Sequence, residues 1–187
     1  MSRQYWEELI QWAVADGTAI SNSTTETILF PNVTIPANYM ADGRAMRITA
    51  IGRYSTTGTP TIVFALRWGG VSGTVLCQST TITGGSTITN AIWWLELMAV
   101  TRLNGATGTL FVTGFSLLGS GLTTPAVGSA TGAPGLSLLG SAASQITPAA
   151  VTVDLTADTS LSLTGKMSAA SASNTMTGHQ YFIESLN

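Results

Sequence analysis

The chain has little with which to do chemistry. A single cysteine, Cys77, excludes a disulfide within the chain. It has one histidine, His179, one lysine, Lys166, and nine scattered carboxylates, and charged residues make up only 9% of the 187. Soluble proteins average roughly 25%. Hydrolytic and acid–base sites need a titratable pair or triad within hydrogen-bond reach. No H-E-x-x-H, paired C-x-x-C, G-x-S-x-G or phosphate-cradling glycine loop occurs. An enzyme is therefore not expected, nor a cofactor or a metal site. Asp154 and Asp158 are close enough to share a metal, but no further acidic ligand lies near them in sequence. A net charge of −2 leaves no cluster of Lys and Arg to neutralise phosphates, which argues against nucleic acid as a partner. No apolar run approaches the roughly 20 residues of a membrane-spanning helix, and no basic leader with an apolar stretch marks export.

What is present is apolar and hydroxyl-rich. Hydrophobic residues reach 44%, with 20 Gly, 30 Thr and 19 Ser. That is enough apolar surface for one domain with a core. With so few surface charges, contact with other protein chains is the expected setting.

Residues 2–16 differ from the rest. Ser2 reads as an N-cap, Glu7 and Glu8 fall in the early turns, and Gly17 follows as a stop. Tyr5, Leu9 and Trp12 are spaced i, i+4, i+7, and Trp6, Ile10 and Ala13 repeat that spacing one residue on. The spacing predicts an amphipathic helix over 1–17, packed on its own core or serving as an anchor and oligomer face through Tyr5, Trp6, Leu9 and Trp12.

Beyond Thr27 the apolar period becomes two. Met46, Ile48, Ala50, Gly52 and Tyr54 alternate with Arg47, Thr49, Ile51 and Arg53; Ile62, Phe64, Leu66 and Trp68 form a second such run. Ser55-Thr56-Thr57-Gly58-Thr59-Pro60 connects them as a hairpin, and Asn104-Gly105 is the strongest hairpin signal in the chain. Residues 91–101 form a long strand that is apolar on both faces, with Trp93 and Trp94 pointing to opposite sides. Further strands are expected at 74–79, 109–118, 150–155, 160–167 and 175–186. About eight short strands separated by turns predict an all-β antiparallel sandwich or jelly roll over 18–187.

Between 119 and 147 the period fails, and Ser-Leu-Leu-Gly-Ser occurs at both 116–120 and 137–141. Such a length is unusual for a loop inside a compact domain. The leucines favour an extended arm ordered by a neighbour, with Leu117, Leu118, Leu138 and Leu139 clasping it. Arg44, Arg47, Arg53 and Arg67 form a candidate docking patch for an acidic partner, with Arg47 and Arg53 on one strand face. His179 reads as a hydrogen-bonded strand residue and Cys77 as a small core residue.

Several stretches resemble a known family. They are Ser23-Thr24-Thr25-Glu26-Thr27, Ile35-Pro36-Ala37, Gly43-Arg44, Ser55-Thr56-Thr57-Gly58-Thr59-Pro60-Thr61 and Leu66-Arg67-Trp68-Gly69-Gly70. Thr89-Asn90-Ala91, Trp94-Leu95-Glu96, Arg102, Gly105-Ala106-Thr107-Gly108-Thr109 and Ser171-Ala172-Ser173-Asn174-Thr175 continue the likeness. Together they resemble small virion proteins of tailed bacteriophages, common in phages of actinobacteria, of the capsid-decoration or minor-tail type. The resemblance implies a β-sandwich or jelly-roll module that forms homotrimers on the particle, with the major capsid protein as partner and the outer capsid surface as its location. Its leading functional implication is capsid decoration, in which contacts to several subunits of the mature lattice stabilise the shell by binding linkage. Two other readings compete with it: a minor tail or head-fibre protein, and a host-glycan-binding virion module. The last needs exposed aromatics, for which Tyr39, Tyr54 and Trp68 are the candidates.

Overall fold

The computed structural model describes residues 7–119, 135–142 and 147–186. They form fourteen strands: β1 (Glu7–Trp12), β2 (Ile20–Ser21), β3 (Thr27–Ile28), β4 (Val33–Ile35), β5 (Ala45–Thr57), β6 (Thr61–Trp68), β7 (Thr74–Ser79), β8 (Ile82–Thr83), β9 (Thr87–Leu103), β10 (Gly108–Leu118), β11 (Gly135–Gly140), β12 (Ala150–Val153), β13 (Thr159–Met167) and β14 (Thr175–Leu186). All belong to one antiparallel sheet in the order β1-β14-β5-β9-β10-β11-β7-β6-β13-β3. Strands β12, β2, β4 and β8 pair beside this path, with β10, β14, β13 and β6 respectively.

Alternation drives the long strands. Along β5, Met46, Ile48, Ala50, Gly52, Tyr54 and Thr56 are buried while the residues between them face outward. Along β9, Trp93, Leu95, Leu97 and Ala99 are buried in the same way. The period of two puts one row in the core and the next in solvent. Gly105, at φ +111°, makes the turn from β9 to β10, a backbone region that side-chain-bearing residues rarely adopt.

The sheet curls on itself into a half-barrel, so that distant strands meet across the core. Phe64 of β6 packs against Trp93 of β9 with ring centroids 5.2 Å apart. Phe30, between β3 and β4, stacks on Tyr181 of β14 at 4.6 Å and meets Trp93 edge-on at 6.4 Å. Such aromatic pairs contribute about 0.5–1.5 kcal/mol beyond the area they bury.

The structure is all-β, and it corrects the rest of the fold expectation. There is no helix among the described residues: 7–12 of the expected N-terminal helix are strand β1. An isolated helix of this length is marginal in water, whereas β14 offers a row of backbone groups to pair with. The pairing runs Glu7↔Leu186 to Trp12↔Phe182, with a bulge between Leu9 and Gln11 that breaks the strand period and mimics helical spacing. In place of a sandwich or jelly roll of about eight strands there is one continuous sheet of fourteen. The additional strands are mostly two or three residues long, too short to show a period. Within 119–147, residues 135–140 are no arm: β11 pairs with β10 from Gly114↔Leu139 to Leu118↔Gly135 and hands the sheet on to β7.

Candidate functional site

The outward side of β1, β14, β5, β9, β10 and β11 forms a face built from register. One row crosses all six strands as Trp12, Phe182, Thr49, Glu96, Phe115 and Leu138. The next, toward the C-terminal end of β5, is Gln180, Ile51, Trp94 and Leu117, followed by Thr177, Arg53 and Ile92. On the other side lie Glu184, Arg47, Met98 and Thr113. The large side chains here remain in contact with water: Trp12 is 50% exposed, Trp94 40%, Phe182 38% and Phe115 36%. Thr49 and Glu96 lie between Phe182 and Phe115, so apolar and polar groups are interspersed across this face, which makes it a candidate binding surface.

Two hollows open near this face. The first, about 330 Å³, is lined by Arg47, Thr49, Glu96, Phe182 and Glu184. Arg47 is fixed there by two carboxylates: its Nη2 donates to Glu7 Oε1 and its Nε to Glu184 Oε2, both at 2.7 Å. Three carboxylates against one guanidinium leave this end acidic. The second hollow, about 390 Å³, lies at the far end of β5 and β9, lined by hydroxyls including those of Thr57, Thr87, Thr89 and Ser173.

The predicted residues are dispersed. Leu9 and Trp12 stand exposed on β1, whereas Tyr5 and Trp6 lie outside the described residues. Of the leucines, Leu118 and Leu139 are core, Leu117 is half-buried, and Leu138 is exposed on the outer face. Arg47 and Arg53 share that face, as alternation predicts. Arg44 is held elsewhere, its guanidinium 4.4 Å from the Tyr39 ring and its Nη1 donating to the Tyr39 carbonyl. Arg67 is on β6, bonded through Nε and Nη2 to Glu26. The four arginines therefore do not form one patch.

The aromatics named for glycan stacking do not form a platform either. Tyr54 is fully buried, and Trp68 is buried with its indole N–H donating to the Asp154 carbonyl. Tyr39 is half-buried and donates its hydroxyl to Glu8 Oε2 at 2.9 Å. Trp94, Phe115 and Phe182 are instead aromatics exposed on the outer face, on β9, β10 and β14. Alternation along β9 places Trp94 on the side opposite Trp93; only cross-strand register shows which residues flank it.

Several of the other reactive groups have structural partners or are buried. Burial pushes the Cys77 thiol up to about 12, so it is not a nucleophile at neutral pH. His179 Nδ1 is 2.6 Å from Asp16 Oδ1, an exposed contact beside a bulge in β14. Asp154 accepts from the Thr156 N–H and hydroxyl, Asp158 from the Ala37 N–H and Asp42 from the Asn104 N–H. Among the described residues no group of three or more His, Cys, Asp or Glu is placed to hold a metal ion.

No protein-family model matches the chain, and no curated protein matches it. Among solved structures it is similar to the CBM2 module of Lactobacillus casei BL23 phage J-1 evolved Dit, at a TM-score of 0.37 and 10% identity, over 99% of this chain and 98% of that one.

Proposed function

We propose that the chain is a non-enzymatic module of a tailed-phage virion that binds host-surface glycan through the outer face of β14, β5, β9 and β10. The observation that carries this reading is the cluster of exposed aromatics, Trp94, Phe115 and Phe182, around the Glu96, Thr49 and Arg47 side chains. A sugar ring presents an apolar C–H face and a rim of hydroxyls. Aromatic rings take the first, and carboxylates and guanidinium groups bond the second. The virion setting rests on the sequence stretches that resemble tailed-phage structural proteins.

Capsid decoration is the second reading, and a different observation favours it. Leu9, Ile92, Met98 and Leu138 are exposed aliphatics on the same side of the sheet, and such side chains suit a protein partner such as the major capsid protein. A glycan array and a pull-down with expanded capsids separate the two. The glycan reading expects array binding that falls at least about tenfold in Trp94→Ala, with the melting temperature unchanged. Array silence together with capture by expanded capsids overturns it in favour of decoration.

A further inference from the structure

The two hollows lie at opposite ends of one face. Thr49 lines the first and Thr57 the second, and both belong to β5. At roughly 3.4 Å per residue, their separation along the strand is about 27 Å. Between them β5 presents Ile51 and Arg53, and β9 presents Trp94 and Ile92. The β5–β9 pairing carries an irregularity between Tyr54 and Thr56. The face continues past it: Thr56 is buried while Ser55 and Thr57 reach outward, and on β9 Ile88 is buried between exposed Thr87 and Thr89.

We propose that one extended, neutral, linear glycan lies along β5 and β9, from the hollow beside Glu96 to the hydroxyl-lined cleft. This rests on the glycan reading above and gives the ligand a shape and a charge. Among the described residues the cleft has no charged side chain in its lining; Ser55, Thr57, Thr87, Thr89, Ser173 and Thr175 present hydroxyls. A hydroxyl both donates and accepts, as a sugar hydroxyl does, so such a surface matches a polyhydroxylated ligand without requiring charge. The Ser55 oxygen accepts the Asn90 N–H at 3.0 Å, which leaves its proton available to a ligand. At the other end Glu7, Glu96 and Glu184 outnumber Arg47, and Arg53 midway brings the whole track close to balance, so a polyanion gains no net attraction. Trp94 stands between the hollows as a stacking surface. These features follow the strands one behind another, as the units of a chain do.

Titration calorimetry of the full chain tests this with beta-linked glucose and N-acetylglucosamine oligosaccharides, disaccharide to hexasaccharide, and with poly(glycerol phosphate). The expected result is affinity that rises at least about tenfold from disaccharide to hexasaccharide in one sugar series. The double variant Thr57→Val, Thr89→Val should remove that gain with the melting temperature unchanged. Trp94→Ala should weaken both lengths. Binding that is sensitive to Trp94→Ala but independent of length overturns the strand-long track and leaves the glycan reading standing. Tighter binding of poly(glycerol phosphate) overturns the neutral ligand. No binding of either sugar series overturns both the track and the glycan reading.

Discussion

Glu26 shows how one side chain can hold several strands. Both of its carboxylate oxygens accept from Arg67 of β6, Nε to Oε1 at 2.5 Å and Nη2 to Oε2 at 2.7 Å, and the Thr164 hydroxyl of β13 donates to Oε1. Burial pushes the Glu26 carboxyl up, but the hydrogen bonds from Arg67 and Thr164 and the charges of Arg67 and Lys166 outweigh it and hold the group below its ordinary value of 4.5. A carboxyl depressed in the folded state stabilises above its unfolded pKa, and that contribution disappears as pH falls through the folded value. Glu26→Gln should cost about 1.5–3 kcal/mol at neutral pH, the usual range for hydrogen bonds to a charged group, and toward its lower end because solvent partly screens the carboxylate. Urea midpoints measured at neutral pH and in acid check this: the gap between variant and parent should close in acid. A gap of equal size at both pH values contradicts it. In sequence Arg67 stands only beside the other arginines of the candidate patch, because its partner Glu26 is 41 residues away and no local pattern links them.

Elements differ in how firmly they are held. Strands β5 and β9 pair along almost their whole length, from Ala45↔Val100 to Thr57↔Thr87. Strand β11 pairs with β10 from Gly135 to Leu139 on one side but meets β7 only through Leu139↔Ser79 and Gly140↔Gln78. A Ser137 hydroxyl bonded to Thr80 reinforces that short seam. The sheet should open first there, so hydrogen exchange in native conditions is expected to be faster for the amides of β11 and β7 at the seam than for those of β5 and β9. Equal protection across both regions contradicts this. The long strands were legible because each has several cycles of alternation. β2, β3, β4 and β8 were not, since two or three residues hold no period, and β1 was misread because its bulge displaces the alternation that would have marked it.

Across the whole molecule, the sheet joins parts of the chain far apart in sequence. β1 pairs with β14, and β3 and β4 with β13. Non-local pairing of this kind requires loop closure before contacts reward it, so folding is slow for the chain's size. Stopped-flow refolding from urea should show a main phase on the millisecond-to-second scale; completion within tens of microseconds would contradict it. The same pairing constructs the outer face. Trp12, Phe182, Glu96, Phe115 and Leu138 span almost the full length of the chain and become neighbours only when five strand registers are set together.

By itself the sequence determined that this is a β protein, since alternation and turn residues are properties of consecutive positions. It also placed Trp93 and Trp94 on opposite sides of one strand. Tertiary structure alone decided that the N-terminal segment is a strand, because β14 supplies the backbone partners that an isolated helix would have to find within itself. Tertiary structure also decided which aromatics share a surface: the neighbour across a strand is fixed by hydrogen-bond register between distant segments, which local period does not encode.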